Sequence, residues 1–162
     1  MATIKQKISP FLWFDNNAEE AMNLYTSIFK NSKVLSVSRY GEAGPGPNGQ
    51  VMTASFELEG IQFTALNAGP RFKFTEAISF VITCADQKEV DYYWEKLTAN
   101  GGEESMCGWL KDKFGLSWQV VPTALYELMG DKDKEKANRV MQAMLQMRKM
   151  DIQKLKDAYN QK

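Results

Sequence analysis

The sequence predicts an α+β protein built from two successive βαβββ modules and a helical tail. Three observations predict this fold. A strand pattern followed by a helix pattern occurs twice, with the two predicted helix starts about 70 residues apart. Strand signals follow each predicted helix, and the last forty or so residues show helical periodicity alone.

The first module begins with an extended apolar run over residues 8–14. Asn17 is predicted to cap a helix, with Glu20 three positions later in the spacing of a capping box. Strand signals follow at 33–40, 51–60 and 61–69, and Glu59-Gly60 predicts a tight hairpin turn. One apolar helix face is predicted from Ala21, Leu24, Tyr25, Ile28 and Phe29.

The second module repeats this plan from the apolar run at 78–85. Asp86 is the predicted cap, again with a glutamate, Glu89, three residues on. The helix face comprises Val90, Tyr93, Trp94 and Leu97. A closing hairpin is predicted in "CGWLKDKFGLSWQVVP", residues 107–122, with Asp112 opening its turn.

The tail, 123–162, is predicted to form a short helical turn ending at Gly130 and two further helices. Its apolar stripe should pack on the body or on a second subunit. A methionine series at i, i+3 spacing suits either a packed helix or an adaptable dimer contact; it comprises Met141, Met144, Met147 and Met150.

Composition excludes several classes of function. The net charge is zero, which argues against a binder of nucleic acid backbones. There is no apolar run of 18 residues and no signal-peptide pattern at the start, so a cytoplasmic protein without a membrane span is expected. Two cysteines do not form a disulfide framework, and both thiols are expected to be reduced.

The chain contains no histidine. A Ser-His-Asp triad, a Cys-His pair and an imidazole metal ligand are therefore all impossible. Cys107 could act as a nucleophile only if Lys111, Lys113 or a backbone nest lowered the pKa of its thiol, and a small packed residue is the favoured interpretation. Cys84 lies in an apolar run and is expected in the core.

The repeat and the D-x-F-G-x-x-W-Q hairpin resemble the vicinal oxygen chelate superfamily of glyoxalase, bleomycin resistance and dioxygenase proteins. The closer resemblance is to its PhnB-like, 3-demethylubiquinone 3-methyltransferase-like branch. It covers most of the chain, including "FLWFDNNAEEAMNLYTSIF" and the hairpin quoted above. The resemblance implies a glyoxalase-like domain over 1–122, with modules at about 7–69 and 76–122, and a tail over 123–162.

Metal-using members of the superfamily carry His or Glu ligands on the first and last strands of each module. The resemblance places these positions near Pro10, within 65–67, near Ser79 and at Gln119. None of these residues is a good ligand for a transition metal, so no metal site and no cofactor is predicted. A divalent ion bound by oxygen atoms stays a disfavoured possibility.

A small molecule is expected in a cavity between the modules, and a homodimer is expected from the superfamily's habit of pairing modules. Trp118 and Gln119 should point to opposite faces of their strand, Trp118 to the core and Gln119 to the ligand. No catalytic residue is assigned. The candidate ligand-binding residues are Phe11, Trp13, Phe63, Asn67, Ser79, Trp109 and Gln119.

Two classes of function follow. The favoured one is a small-molecule-binding protein; the alternative is a metal-dependent enzyme of the glyoxalase or dioxygenase type acting on a small carbonyl or aromatic compound. A methyltransferase is a weaker alternative, because the glycine loop at 41–50 is interrupted by prolines and precedes a strand pattern, whereas a nucleotide loop needs a helix after it.

Overall fold

The structure is a computed structural model that describes residues 6–161. The chain divides into two compact units, one ending at Lys73 and the next beginning at Phe74. The predicted tail over 123–162 falls within the second unit. None of the helices among the described residues is long and apolar enough to cross a bilayer.

The first unit has the predicted βαβββ order. Its elements are β1 (Phe11–Phe14), α1 (Ala18–Ile28), β2 (Ser32–Arg39), β3 (Val51–Leu58) and β4 (Ile61–Asn67). The sheet order is β1-β4-β3-β2, with β1 parallel to β4 and the other pairs antiparallel. The predicted turn at Glu59-Gly60 is confirmed, since it joins β3 to β4 and both residues have positive φ, as a two-residue hairpin requires.

The second unit repeats this topology. Its module contains β5 (Ser79–Cys84), α2 (Gln87–Thr98), β6 (Glu103–Glu104), β7 (Trp109–Lys111) and β8 (Ser117–Pro122). The sheet order is β5-β8-β7-β6, with β5 parallel to β8. The α+β class with two βαβββ modules is therefore confirmed.

The two helix starts differ in how they are capped. Asp86 accepts a hydrogen bond from the Glu89 amide at 2.9 Å, as predicted. Asn17 holds the N-cap position of α1, as predicted, but its side chain makes no capping bond. Asn67, at the end of β4, accepts the Ala18 amide at 2.8 Å instead.

The tail forms α3 (Thr123–Met129), α4 (Lys134–Leu145) and α5 (Ile152–Asn160). The connection between α4 and α5 is held to the second module by hydrogen bonds. The amides of Cys107 and Gly108 donate to the carbonyls of Met147 and Arg148 at 2.7 and 2.8 Å. The Gln87 side chain donates to the carbonyl of Met150 and accepts the Ile152 amide.

The methionine series does not form one helix face. α4 ends at Leu145, so Met147 and Met150 lie in the connection to α5. Met150 is buried, and a Cβ on Gly108 would lie 3.2 Å from its methyl carbon. The i, i+3 spacing does not produce one helix face, because α4 ends at Leu145 and residues 147 and 148 pair with the backbone of 107 and 108 instead.

Candidate functional site

In the part of the chain that the structure describes, α2 packs on one face of the second sheet, and the opposite face is called the helix-free face below. The indole nitrogen of Trp94, on α2, donates to Glu104 at 2.8 Å, which marks the helix side. Cross-strand pairing places Leu110 and Trp118 on that side with Glu104. Since alternate residues of a strand point to opposite faces, their neighbours lie on the helix-free face.

The helix-free face carries two rows of side chains. The first row crosses all four strands through the pairs Glu103–Lys111, Lys111–Ser117 and Ser117–Ser79. The second row runs through Trp109, Gln119 and Val81. Three candidate ligand-binding residues, Ser79, Trp109 and Gln119, therefore lie together on this face.

Gln119 and Ser79 form a polar pair on neighbouring strands. The Gln119 amide nitrogen donates to the Ser79 hydroxyl oxygen at 2.9 Å, and this bond holds the Gln119 side chain in one orientation. Among residues 6–161 this is the one side-chain hydrogen bond that Gln119 makes, and its carbonyl oxygen accepts none. Both residues and Trp109 are half-buried, so this oxygen can accept a hydrogen bond from a bound molecule.

Trp118 and Gln119 point to opposite faces of β8, as predicted. Trp118 is buried and packs on Phe80 with ring centroids 5.6 Å apart. Asp112 closes its own turn, as predicted, by accepting the amides of Phe114 and Leu116, and it also accepts the Trp118 indole at 2.9 Å. The carboxylate of Asp112 thus fixes the hairpin that presents Gln119.

The two cysteines lie in different settings. Cys84 is buried on β5, and burial raises the pKa of its thiol to about 12, with smaller contributions from Glu89 and Asp86. It stays protonated at neutral pH and is not a nucleophile. Cys107 is half-buried and has a positive φ of 58°, in the turn that pairs with the tail.

The first unit places two candidates on its helix-free face. Phe11 is 61% exposed at the start of β1. Trp13 is half-buried; its indole donates to the Gly69 carbonyl at 2.8 Å, and its ring meets Phe72 edge-on at 4.9 Å.

Phe63 and Asn67, the two other candidate ligand-binding residues of this unit, lie on the opposite face, toward α1. Phe63 is 4% exposed and stacks on Phe56, whose ring neighbours Tyr25 of α1. Asn67 is 3% exposed, and its amide bridges Ala18 and the Val51 carbonyl. A shift of one residue along β4 exchanges the two faces, so the open positions are Thr64 and Leu66.

Comparison with known proteins identifies the family. A family described as 3-demethylubiquinone-9 3-methyltransferase matches residues 6–121. A PhnB protein from Bacillus cereus is 42% identical, with a TM-score of 0.67, and the match covers 73% of this chain and 100% of that one. The chain belongs to this PhnB-like family.

Two further solved structures share the fold. Protein PA1353 from Pseudomonas aeruginosa is 20% identical, with a TM-score of 0.61, over 73% of this chain and 98% of that one. The fosfomycin resistance protein FosX from Mesorhizobium loti is 10% identical, with a TM-score of 0.55, over 80% and 100%. These matches support the vicinal oxygen chelate fold. A search of curated proteins finds no match.

In this PhnB-like chain, the side chains at the superfamily's metal-ligand positions are poor ligands for a transition metal. Pro10, Ser79 and Gln119 offer no carboxylate or imidazole, and among residues 6–161 no group of three or more Cys, Asp or Glu side chains could hold a metal ion. Hydroxyl and amide oxygens alone are weak ligands for transition metals.

Sequence reasoning missed Glu103, Lys111 and Ser117 as neighbours of the site. Counting back two residues from Gln119 along β8 reaches Ser117, which shares its face. Lys111 and Glu103 follow only once the strand register is known, and the short β6 gives no strand signal in the sequence.

Proposed function

We propose that this PhnB-like protein binds a small, partly apolar molecule on the helix-free face of its second sheet. The observation that supports this most directly is the Gln119 carbonyl oxygen, oriented by Ser79 and left available beside Trp109. The half-buried indole of Trp109 offers apolar surface to a ligand, and the Gln119 carbonyl oxygen would fix the orientation of that ligand, as polar groups do in many ligand sites.

Binding is favoured over catalysis by the chemistry of the face. In the two rows of side chains on this face, the titratable groups among the described residues are Glu103 and Lys111, both at one end of the first row. Ser79 and Gln119 do not exchange protons near neutral pH. The alternative of a metal-dependent enzyme needs ligands that these positions lack, and a methyltransferase would need a cofactor loop that 41–50, which leads into β3, does not form.

A homodimer is part of the proposal. β2 is an edge strand of the first sheet and exposes Val34, Leu35 and Val37. An exposed apolar edge strand favours pairing with another chain, and a second copy is the proposed partner. Analytical ultracentrifugation should give the mass of a dimer that the charged substitution Val37→Lys weakens; a monomer at all concentrations would contradict it.

The binding proposal is tested by thermal melting of chelator-treated protein. Small aromatic and carbonyl compounds form one panel and divalent ions the other. A ligand at a hundred times its Kd stabilises the folded state by about 2.7 kcal/mol, which raises Tm by about 5 °C or more. We expect a saturable shift from an organic compound that Gln119→Ala abolishes and that the exposed control Gln142→Ala retains.

Two outcomes would count against this proposal. A shift with one divalent ion, lost in Gln119→Ala, would indicate the metal-dependent alternative. Organic shifts that Gln119→Ala leaves unchanged would place the ligand elsewhere.

A further inference from the structure

A cavity of about 300 Å³ lies at the other end of the same face. Ser117 links it to the Ser79–Gln119 pair, since Ser117 is the cross-strand neighbour of Ser79. Trp109 is shared between the two, because it pairs with Gln119 and also lines the cavity. The cavity is further lined by Glu76, Glu103, Ser105 and Lys111, and by Glu104 and Leu110, which belong to the row on the α2 side of the sheet.

Ser117 is the unexplained group of this cavity. It is 1% exposed, and its hydroxyl oxygen has no hydrogen-bond partner among the described residues. A buried hydroxyl without a partner costs free energy, so such groups are rare, and a bound ion, water or ligand is one explanation for them. Lys111 is its direct cross-strand neighbour, with Cβ atoms about 5 Å apart in such pairs, so the lysine stem lies beside it.

The charges around Ser117 favour a positive ligand. The Lys111 ammonium pairs with Glu76, and this contact lowers the pKa of Glu76 and raises that of Lys111. Glu103 is the other cross-strand neighbour of Lys111 and raises the same pKa further. The lining therefore holds the carboxylates of Glu76, Glu103 and Glu104, while Lys111 pairs with Glu76 and Arg148 lies 3.9 Å from Glu104, so negative charge is in excess.

We propose that this cavity receives the ammonium group of an organic amine, so that the ligand of the proposed function is a cation. The inference rests on that function and adds the charge of the ligand. The ammonium donates to Glu103 and to the Ser117 hydroxyl, and the Trp109 ring contributes a cation–π contact. In this arrangement the ligand ammonium competes with the Lys111 ammonium, which is paired with Glu76.

The test titrates the protein with 2-phenylethylamine and follows the indole N–H resonance of Trp109 by NMR. A saturable shift is expected. Glu103→Gln and Ser117→Ala should each weaken binding about threefold to tenfold, from the loss of a charge or of a hydrogen bond. Lys111→Met should strengthen binding about threefold, because it removes the competing cation.

Matched controls separate local from general effects. Glu95→Gln and Lys96→Met change the same charges on the exposed side of α2 and should leave the affinity unchanged. Ser117→Ala should be at least as stable as the unmodified protein in chemical denaturation, because it removes an unpaired hydroxyl. A markedly less stable Ser117→Ala would show that the hydroxyl has a structural partner and would overturn the inference.

The remaining outcomes also decide the question. No saturable shift with the amine, or weaker binding in Lys111→Met, would overturn the ammonium site. If neutral 2-phenylethanol or anionic phenylacetate binds as tightly as the amine and the binding is lost in Gln119→Ala, the proposed function stands and the cationic ligand does not.

Discussion

Asp112→Ala is expected to lower the free energy of unfolding by about 3–5 kcal/mol, because three hydrogen-bond donors lose their acceptor and each such loss costs about 1–3 kcal/mol. Asp112 is 2% exposed and accepts hydrogen bonds from two backbone amides and from the Trp118 indole. Without the carboxylate these donors stay buried and unpaired. Urea denaturation followed by tryptophan fluorescence measures the change.

Asp133→Ala is the matched control for this substitution. Asp133 also accepts two backbone amides, those of Glu135 and Lys136, but it caps α4 in an exposed position. Its removal should cost about 1 kcal/mol, as for other helix caps. Equal losses in the two variants would show that the Asp112 network is not what holds the hairpin.

Asn67→Ala is expected to lower the free energy of unfolding by about 2–4 kcal/mol. The change removes the cap of α1 and leaves the Val51 carbonyl without its donor, and each loss costs about 1–2 kcal/mol. The Tyr40 hydroxyl bond to the Asn67 carbonyl at 2.5 Å involves the backbone and should survive. The same denaturation experiment measures the effect.

Asn17→Ala serves as its control, because Asn17 holds the cap position in the chain but makes no capping bond. Its cost should be within about 0.5 kcal/mol, as for surface substitutions without a special role. If Asn17→Ala proved the more damaging of the two, the assignment of the cap to Asn67 would be wrong.

The caps of α1 and α2 show which contacts could be predicted from the sequence and which could not. Periodicity and capping signals located both modules, both helices and the Asp86 cap, because these are local properties of the chain. The α1 cap comes from a residue 49 positions away, and no local pattern contains such a contact.

The candidate site was predictable in part for a similar reason. Two-residue alternation assigned Gln119 and Trp118 to opposite faces, because Trp118 shares its side of the strand with the apolar residues two positions away, Leu116 and Val120. In β4 the same reasoning needed an exact register, and the candidates Phe63 and Asn67 lie on the side toward α1. The charged end of the face required the pairing of β6 with β7, which only the structure supplies.

The tail was predicted as helices, but its attachment was not. Backbone pairing between 107–108 and 147–148 involves amides that carry no side-chain signal. The attachment also has an electrostatic part, since Lys149 pairs with Asp91 at 2.6 Å and, with Gln87, lowers the pKa of that carboxyl. The stability contributed by this carboxylate is present above its unfolded pKa and is lost as the pH falls through the lowered folded pKa.

The central claim is that a small molecule binds beside Gln119 on the helix-free face of the second sheet. The most direct measurement is an NMR map of backbone amide shifts on adding the compound that raises Tm most. The account predicts that the largest shifts fall on β5, β7 and β8 around Ser79, Trp109 and Gln119, and that they vanish in Gln119→Ala. Shifts confined to the first unit, or unchanged in that variant, would contradict it.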